Sequence, residues 1–279
     1  MSLFLPSEAT PATATVTSNG APIPFTPRYF GALRETDLAA VDGAELRARY
    51  AGDGYVLLRN FLPPAAVNAL REGYLALFNS KPVAAPHGTK GHPAYEFVRA
   101  PAFRAFVEQP LFQDLTQRLT GRAMTPIRRT PLRHFVPGVP VASRAHIDGT
   151  YIDGTPTEVV TVWTPLGDCA HRGGSLMYLE GSHKDPELER KVRNGAPLDR
   201  PQDVRPITHD LKWLADLTNS RWLAADFAAG DVVVHSPAII HATLDATTGV
   251  RVSADIRFRR QDGPKDPRWD NDWSADDGY

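Results

Sequence analysis

Thiol chemistry is nearly absent from this chain: of 279 residues only Cys169 is a cysteine. That excludes an internal disulfide and any thiolate metal cluster, and it suits a reducing compartment. Charge of one sign is not in excess either, with 31 Lys and Arg against 32 Asp and Glu. A chain so balanced presents no field that would gather nucleic acid or an anionic membrane surface. No apolar run approaches the roughly 20 residues that a membrane helix needs. The opening MSLFLPSEAT has no basic segment and carries Pro6 and Glu8, so it does not read as a signal peptide. A Gly-rich phosphate loop is also missing, and no basic cluster is apparent around a substrate mouth, so no nucleotide or acyl-CoA site is expected. A cytoplasmic protein is the reading these absences leave, and a monomer or homodimer is expected.

What the chain does have is a sizeable apolar fraction, 42%, enough to bury a core without staples. Residues 1–27 are rich in Thr, Ala, Pro and Ser and read as a flexible arm. Asp42 can cap a short helix that stops at Gly52 to Gly54, and GYVLLRNFL (54–62) follows as a β-rich run. Pro63 and Pro64 open a helix through Phe78, residues 81–97 read as a loop, and a second helix spans about 103–121. Short strands follow at 125–137, 158–166, 175–181, 221–227, 231–236, 239–245 and 251–260. A polar insertion, 184–215, interrupts them with helix expected around Pro186 to Asn194. Helices first and many strands after predict a mainly β fold with a helical buttress, a double-stranded β-helix (jelly roll, cupin-like barrel). One domain is expected over 28–262, with a C-terminal tail at 263–279.

The last strand carries the first functional signal. Period-two alternation puts Val252, Ala254, Ile256 and Phe258 on one face, and Arg251, Ser253, Asp255 and Arg257 on the other. An interior face bearing Arg and Asp is costly for stability alone and makes sense if it meets an anionic ligand or a metal. Upstream, His146-x-Asp148 places an imidazole and a carboxylate on one side of an extended segment. A second such triplet, His183-x-Asp185, sits in a Gly-Ser turn with too few strands after it to close a jelly roll. His235 and His241 compete as the third ligand. Ten residues separate His241 from Arg251, enough for strand, turn and return, whereas His235 is 16 away. On that spacing His241 is the ligand and His235 a strand-end residue beside the pocket. Two His and one carboxylate on one face of an ion leave positions open, as in non-haem Fe(II) oxygenases.

DGYVLLRNFLPPAAVNAL (53–70), HID (146–148), VVTVWTPLGD (159–168), GGSLMYLEGSH (173–183), GDVVVHSPAIIHATL (230–244) and the Arg251 strand occur in an order that resembles the phytanoyl-CoA dioxygenase family. The likeness spans roughly residues 40–260. It implies an Fe(II)- and 2-oxoglutarate-dependent dioxygenase whose metal is held by His146, Asp148 and His241. It implies that Arg251, helped by Thr243, pairs with the C5 carboxylate of 2-oxoglutarate. Trp163 matches a position lining that pocket, although a packed core aromatic would look the same. A polar residue on the preceding strand also meets the cosubstrate in relatives, and Arg128 and Thr130 both fit. His183 takes a structural place in the G-S-H turn.

With Asp148 retained, hydroxylation of an unactivated C–H of a small molecule is the expected chemistry, dioxygen being the oxidant. The substrate walls are expected from the 81–97 loop, the Tyr151 to Pro156 turn, the 184–215 insertion and the tail, with Trp269 and Trp273 docked on the body. The rival classes are a cosubstrate-independent cupin-like enzyme and a catalytically silent metal- or ligand-binding protein. Neither needs the full set of His146, Asp148, His241 and Arg251.

Overall fold

The computed structural model describes residues 14–78 and 92–274. The chain opens with the hairpin β1 (Thr15–Ser18) and β2 (Ala21–Pro24), then β3 (Phe30–Ala32), α1 (Gly43–Asp53), β4 (Tyr55–Leu58) and α2 (Pro64–Ala76). Three further helices follow, α3 (Pro93–Arg99), α4 (Pro101–Val107) and α5 (Pro110–Thr120). The strands β5 (Met124–Pro126), β6 (Leu132–Phe135), β7 (Val159–Pro165) and β8 (Leu176–Leu179) lead to α6 (Leu188–Arg193) and α7 (Leu211–Leu217). The chain ends with β9 (Trp222–Ala224), β10 (Val232–His235), β11 (His241–Thr243), β12 (Arg251–Arg260) and α8 (Pro267–Asp270).

Two sheets make the body. One runs β4-β10-β7-β12-β5, with β6 also paired to β12, and the other runs β11-β8-β9-β3. Side-chain alternation stacks them into layers. Val56, Val160, Val162, Val232, Val234, Val252, Ala254, Ile256 and Phe258 point outward from the large sheet into one core shared with α1 to α5. Met177, Leu179, Trp222, Ala224 and Ala242 face away from the small sheet onto Ile23 of the hairpin and Leu211 and Leu214 of α7. The remaining faces meet between the sheets, where Leu57, Trp163 and Val233 pack against Leu176, Tyr178 and Leu223. This is the mainly β, helix-buttressed jelly roll that the sequence predicts. Each fully buried aliphatic side chain adds roughly 1.5–3 kcal/mol, so the outward faces hold the frame while the inner faces are free to carry polar groups.

Prolines decide the departures from expectation. The helix expected over 103–121 is two helices, because Pro110 forces Gln109 into an extended conformation (φ −60°, ψ 137°). Pro101 acts likewise on Ala100, and α3 occupies the end of the stretch expected to be loop, with Pro93 in its first turn. Residues 81–91 of that loop lie outside the described residues. Of the flexible arm expected over 1–27, residues 1–13 lie outside the described residues and 15–24 form a hairpin, turned at Asn19 (φ 51°) and Gly20 (φ 77°). Asp245 clamps that turn by accepting from the backbone N–H groups of Asn19 and Gly20, each at 2.9 Å. The strand expected over 125–137 is broken into β5 and β6. The insertion carries α7 as well as the expected α6.

Candidate metal and cosubstrate site

His146 and His241 face each other across an antiparallel bridge, exchanging N–H···O bonds of 3.0 and 2.9 Å, and their ring centroids lie 4.2 Å apart. Asp148 begins a 3-10 turn (Asp148–Thr150) tied down where the Gly149 N–H donates to the Pro237 carbonyl at 2.9 Å. The turn, rather than the extended spacing read from sequence, swings the carboxylate to the histidines. One ligand atom from each of His146, Asp148 and His241 lies within 4.8 Å of the other two, and all three residues are buried.

The tautomers are set by the backbone. His146 Nδ1 lies 2.6 Å from the Arg144 carbonyl and His241 Nδ1 lies 3.0 Å from the Ile239 carbonyl. A carbonyl can only accept, so both Nδ1 atoms carry the proton and both Nε2 lone pairs are left for a metal. Burial, and for His241 also its neighbouring histidines, pushes both imidazoles below their ordinary pKa, which keeps them neutral. Burial works against ionisation of Asp148, but the Arg257 guanidinium and His235 outweigh it and hold the carboxyl well below its usual range. Arg257 Nη2 donates to Asp148 Oδ1 at 2.6 Å, while Thr161 Oγ1 and His235 Nε2 (3.2 Å) converge on Oδ2. His235 is spent at both ring nitrogens, since its Nδ1 accepts from the Tyr178 hydroxyl at 2.8 Å. It therefore orients the carboxylate, as a residue beside the pocket, and offers no lone pair to a metal. His183 and Asp185 are elsewhere: His183 Nε2 meets the Ala51 carbonyl at 3.1 Å, and Asp185 is exposed and paired with Lys191.

Beyond the histidines is a small recess to which Arg251, Thr243, Trp163, Ser143 and Arg133 all contribute. Arg251 is 2% exposed, and its Nη2 meets Ser253 Oγ at 2.7 Å, while its Nε and Nη1 have no partner among the described residues. Burial draws its pKa down to about 10. Its guanidinium is sandwiched 4.6 Å from the Phe135 ring and 5.4 Å from the Trp163 ring. A buried cation with unused donors and no counter-charge is the mark of a site built for an anion. Thr243 Oγ1 accepts from the Ser143 N–H at 2.7 Å, which leaves its own proton to donate into the recess. Trp163 packs edge-on against Phe227 (4.8 Å) and also walls the recess. The strand residue that reaches the recess is neither Arg128 nor Thr130. Arg128 is spent on exposed Asp272, and Thr130 is buried with its carbonyl bonded to Trp273. Arg133 reaches it instead, ion-paired to Asp255 at 3.0 Å and set opposite Ser253 by the β6–β12 register. Alternation outward from β12 is the signal that could have found it.

On the other side of His146 opens a cavity of about 340 Å³. The Tyr151 turn, the insertion (Arg200, Asp203, Arg205) and the tail (Arg268, Trp269, Trp273) all line it, three of the four walls expected from sequence. Trp269 and Trp273 are docked, their Nε1 atoms donating to the carbonyls of Tyr151 and Thr130. The expectation of no basic cluster is wrong: six arginines line this cavity, drawn together from segments distant in sequence.

The described residues contain no helix long and apolar enough to cross a membrane. Residues 50–253 match the family model Phytanoyl-CoA dioxygenase (PhyH). A curated relative, the 1-deoxypentalenic acid 11-beta-hydroxylase of Streptomyces exfoliatus, is 24% identical over 232 residues, covering 75% of this chain and 78% of that protein. Among solved structures, the non-heme alpha ketoglutarate dependent carbocyclase SnoK superposes with a TM-score of 0.59 at 19% identity, covering 82% of this chain and 87% of that one. The epimerase SnoN, in complex with Fe3+, alpha ketoglutarate and nogalamycin RO, gives 0.58 at 18% identity over 80% of this chain and 85% of its own. The chain belongs to the phytanoyl-CoA dioxygenase family and is an Fe(II)- and 2-oxoglutarate-dependent oxygenase.

Proposed function

We propose that His146, Asp148 and His241 hold the iron, that Arg251 and Thr243 hold the C5 carboxylate of 2-oxoglutarate against Trp163, and that the enzyme hydroxylates a small molecule bound in the neighbouring cavity. The observation that carries this reading is Arg251, whose unused Nε and Nη1 sit at a small recess beside a triad with two free imidazole lone pairs. The donor set, two neutral histidines and one carboxylate with room beside them, fits Fe(II). When bound, iron and 2-oxoglutarate together activate dioxygen for attack on an unactivated C–H. The protein's own share is positional. The Arg144 and Ile239 carbonyls lock the ring orientations, while Thr161, His235 and Arg257 fix the carboxylate. Phe135 and Trp163 exclude water around the Arg251 guanidinium, which strengthens its hold on an anion. Hydroxylation is favoured over ring closure or epimerisation by the hydroxylase among the relatives, together with the retained Asp148.

The test is anaerobic titration of the Fe(II)-loaded protein with 2-oxoglutarate. A visible charge-transfer band that saturates at one equivalent, followed by succinate release on admitting oxygen, is expected. A protein that binds Fe(II) but shows neither band nor succinate would be the silent binding protein instead.

A further inference from the structure

The cavity beside His146 has a composition that the reaction itself does not require. Arg133, Arg144, Arg200, Arg205, Arg257 and Arg268 line it, and Asp203 is the one carboxylate among the lining residues described. The acids that pair with Arg133, Arg144 and Arg257 are Asp255, Asp199 and Asp148, and all three stand behind the lining rather than in it. Arg200 has no acid partner among the described residues. Arg257 is the telling one. It is 2% exposed, its Nη2 is fixed to Asp148, and its Nε and Nη1 are buried with no partner among the described residues. Its guanidinium lies 4.8 Å from the Trp269 ring centroid, and that of Arg205 lies 5.1 Å from the Tyr151 ring. Stacking on a ring holds a guanidinium in place while its N–H edges stay available for an oxyanion.

We propose that the substrate is a small organic acid: its anionic group is received by Arg257 and Arg200, and its apolar body lies against Trp269 and Trp273. This rests on the reading of the triad as the iron site only for which bond is oxidised; the acid site itself is carried by the cavity. About 340 Å³ suits a molecule of drug size or smaller. 2-Oxoglutarate does not account for Arg200 and Arg257, because both line the cavity and neither lines the recess into which Arg251 opens. Asp148 does not account for them either, since a carboxylate shared with Thr161 and His235 leaves two Arg257 donors unused.

The experiment is calorimetric titration of the full chain, with and without Zn(II) and saturating 2-oxoglutarate, with three matched pairs of acid and carboxamide: 1-naphthaleneacetate, 4-phenylbutyrate and decanoate against their amides. At least one acid is expected to bind about tenfold or more tightly than its amide, the equivalent of one charge-assisted contact. Arg200→Gln, at an exposed position that leaves the fold intact, and Arg257→Gln should each cut that preference to about threefold or less, with amide affinity nearly unchanged. Equal binding of acid and amide, binding of neither, or a preference that survives both substitutions overturns the proposal. So does an Arg257→Gln protein that loses 2-oxoglutarate affinity but keeps the acid preference. An acid preference in a protein that fails to bind 2-oxoglutarate would sink the cosubstrate assignment and leave this site standing.

Discussion

Replacing Arg251 with Met should make the ligand-free protein more stable while abolishing its response to 2-oxoglutarate. Burial lowers the Arg251 pKa from its ordinary value to about 10. At about 1.4 kcal/mol per unit this corresponds to ~3 kcal/mol by which the fold disfavours the cation. The sign follows from proton binding: between the two pKa values the unfolded chain holds the proton that the folded chain has released, so stability rises with pH there. Below pH 10 both states are protonated and the whole cost is present. Against it stand the Phe135 and Trp163 faces and the Ser253 bond, which return part of that amount. Methionine keeps a linear chain against the two rings and carries no charge, so a net gain of about 1–2 kcal/mol is expected, or roughly 2–8 °C in Tm. With Mn(II) and 2-oxoglutarate at ~100 times Kd the wild type should gain about 2.7 kcal/mol more, and Arg251→Met nothing. The assay is differential scanning calorimetry with and without the pair of ligands. A variant less stable than wild type when ligand-free, and still stabilised by 2-oxoglutarate, would refute the account of Arg251 as a cation waiting for an anion.

Three more outcomes follow from the same geometry. Asp148→Ala should abolish Fe(II) binding followed by equilibrium dialysis, whereas Asp185→Ala, at a position bonded to Lys191 and the Glu187 N–H, should leave it unchanged. His235→Leu keeps all three proposed ligands but removes the bond that steadies Asp148 Oδ2, so Fe(II) affinity should fall ~10–100-fold with the fold retained. His134, held by the Tyr74 hydroxyl at 2.9 Å, is pushed by burial to a pKa of about 4. Its contribution is therefore intact above the unfolded value near 6.5 and lost as pH falls from there towards 4. Unfolding free energies from denaturant titrations between pH 7 and 4 should fall by up to about 3 kcal/mol in wild type and less steeply in His134→Phe; parallel slopes would exclude His134 as the cause.

The parts of the site legible in the sequence are those written in strand periodicity. β12 alternates without a fault, so period two alone assigns Arg251, Ser253, Asp255 and Arg257 to the inner face, and Val252 to Phe258 to the helices. The distance from His241 to Arg251 separated two histidines that local sequence cannot tell apart, and the hydrogen bonds of His235 agree with that choice. What stayed hidden comes from irregular backbone. Arg144, Arg200 and Arg205 lie on segments with no repeat, so nothing local shows that they converge on one cavity. Arg133 was lost because Pro126 and Pro131 bracket a break in what reads as one strand. The hairpin at 15–24 had its signal, Asn19-Gly20 between β-branched residues, but a Thr- and Pro-rich composition masked it.

Arg251 and Arg257 also show why one strand can serve two ligands. Six positions along β12 set their backbones about 20 Å apart, and the even spacing returns both to the inner face. Asp255 stands between them on that face and is spent on Arg133, so neither arginine can borrow it. Each remains buried with Nε and Nη1 unused, one in the recess and the other in the cavity, with His146 lining both spaces. Two separate buried guanidiniums with unused donors, opening in different directions, call for two separate anions. If one is the cosubstrate, the other must belong to the molecule that is oxidised, and β12 then fixes the register between them. Shifting that register by one residue would turn both arginines into the helical core and bring Val252 and Ile256 to the site, so β12 cannot slip without losing both sites.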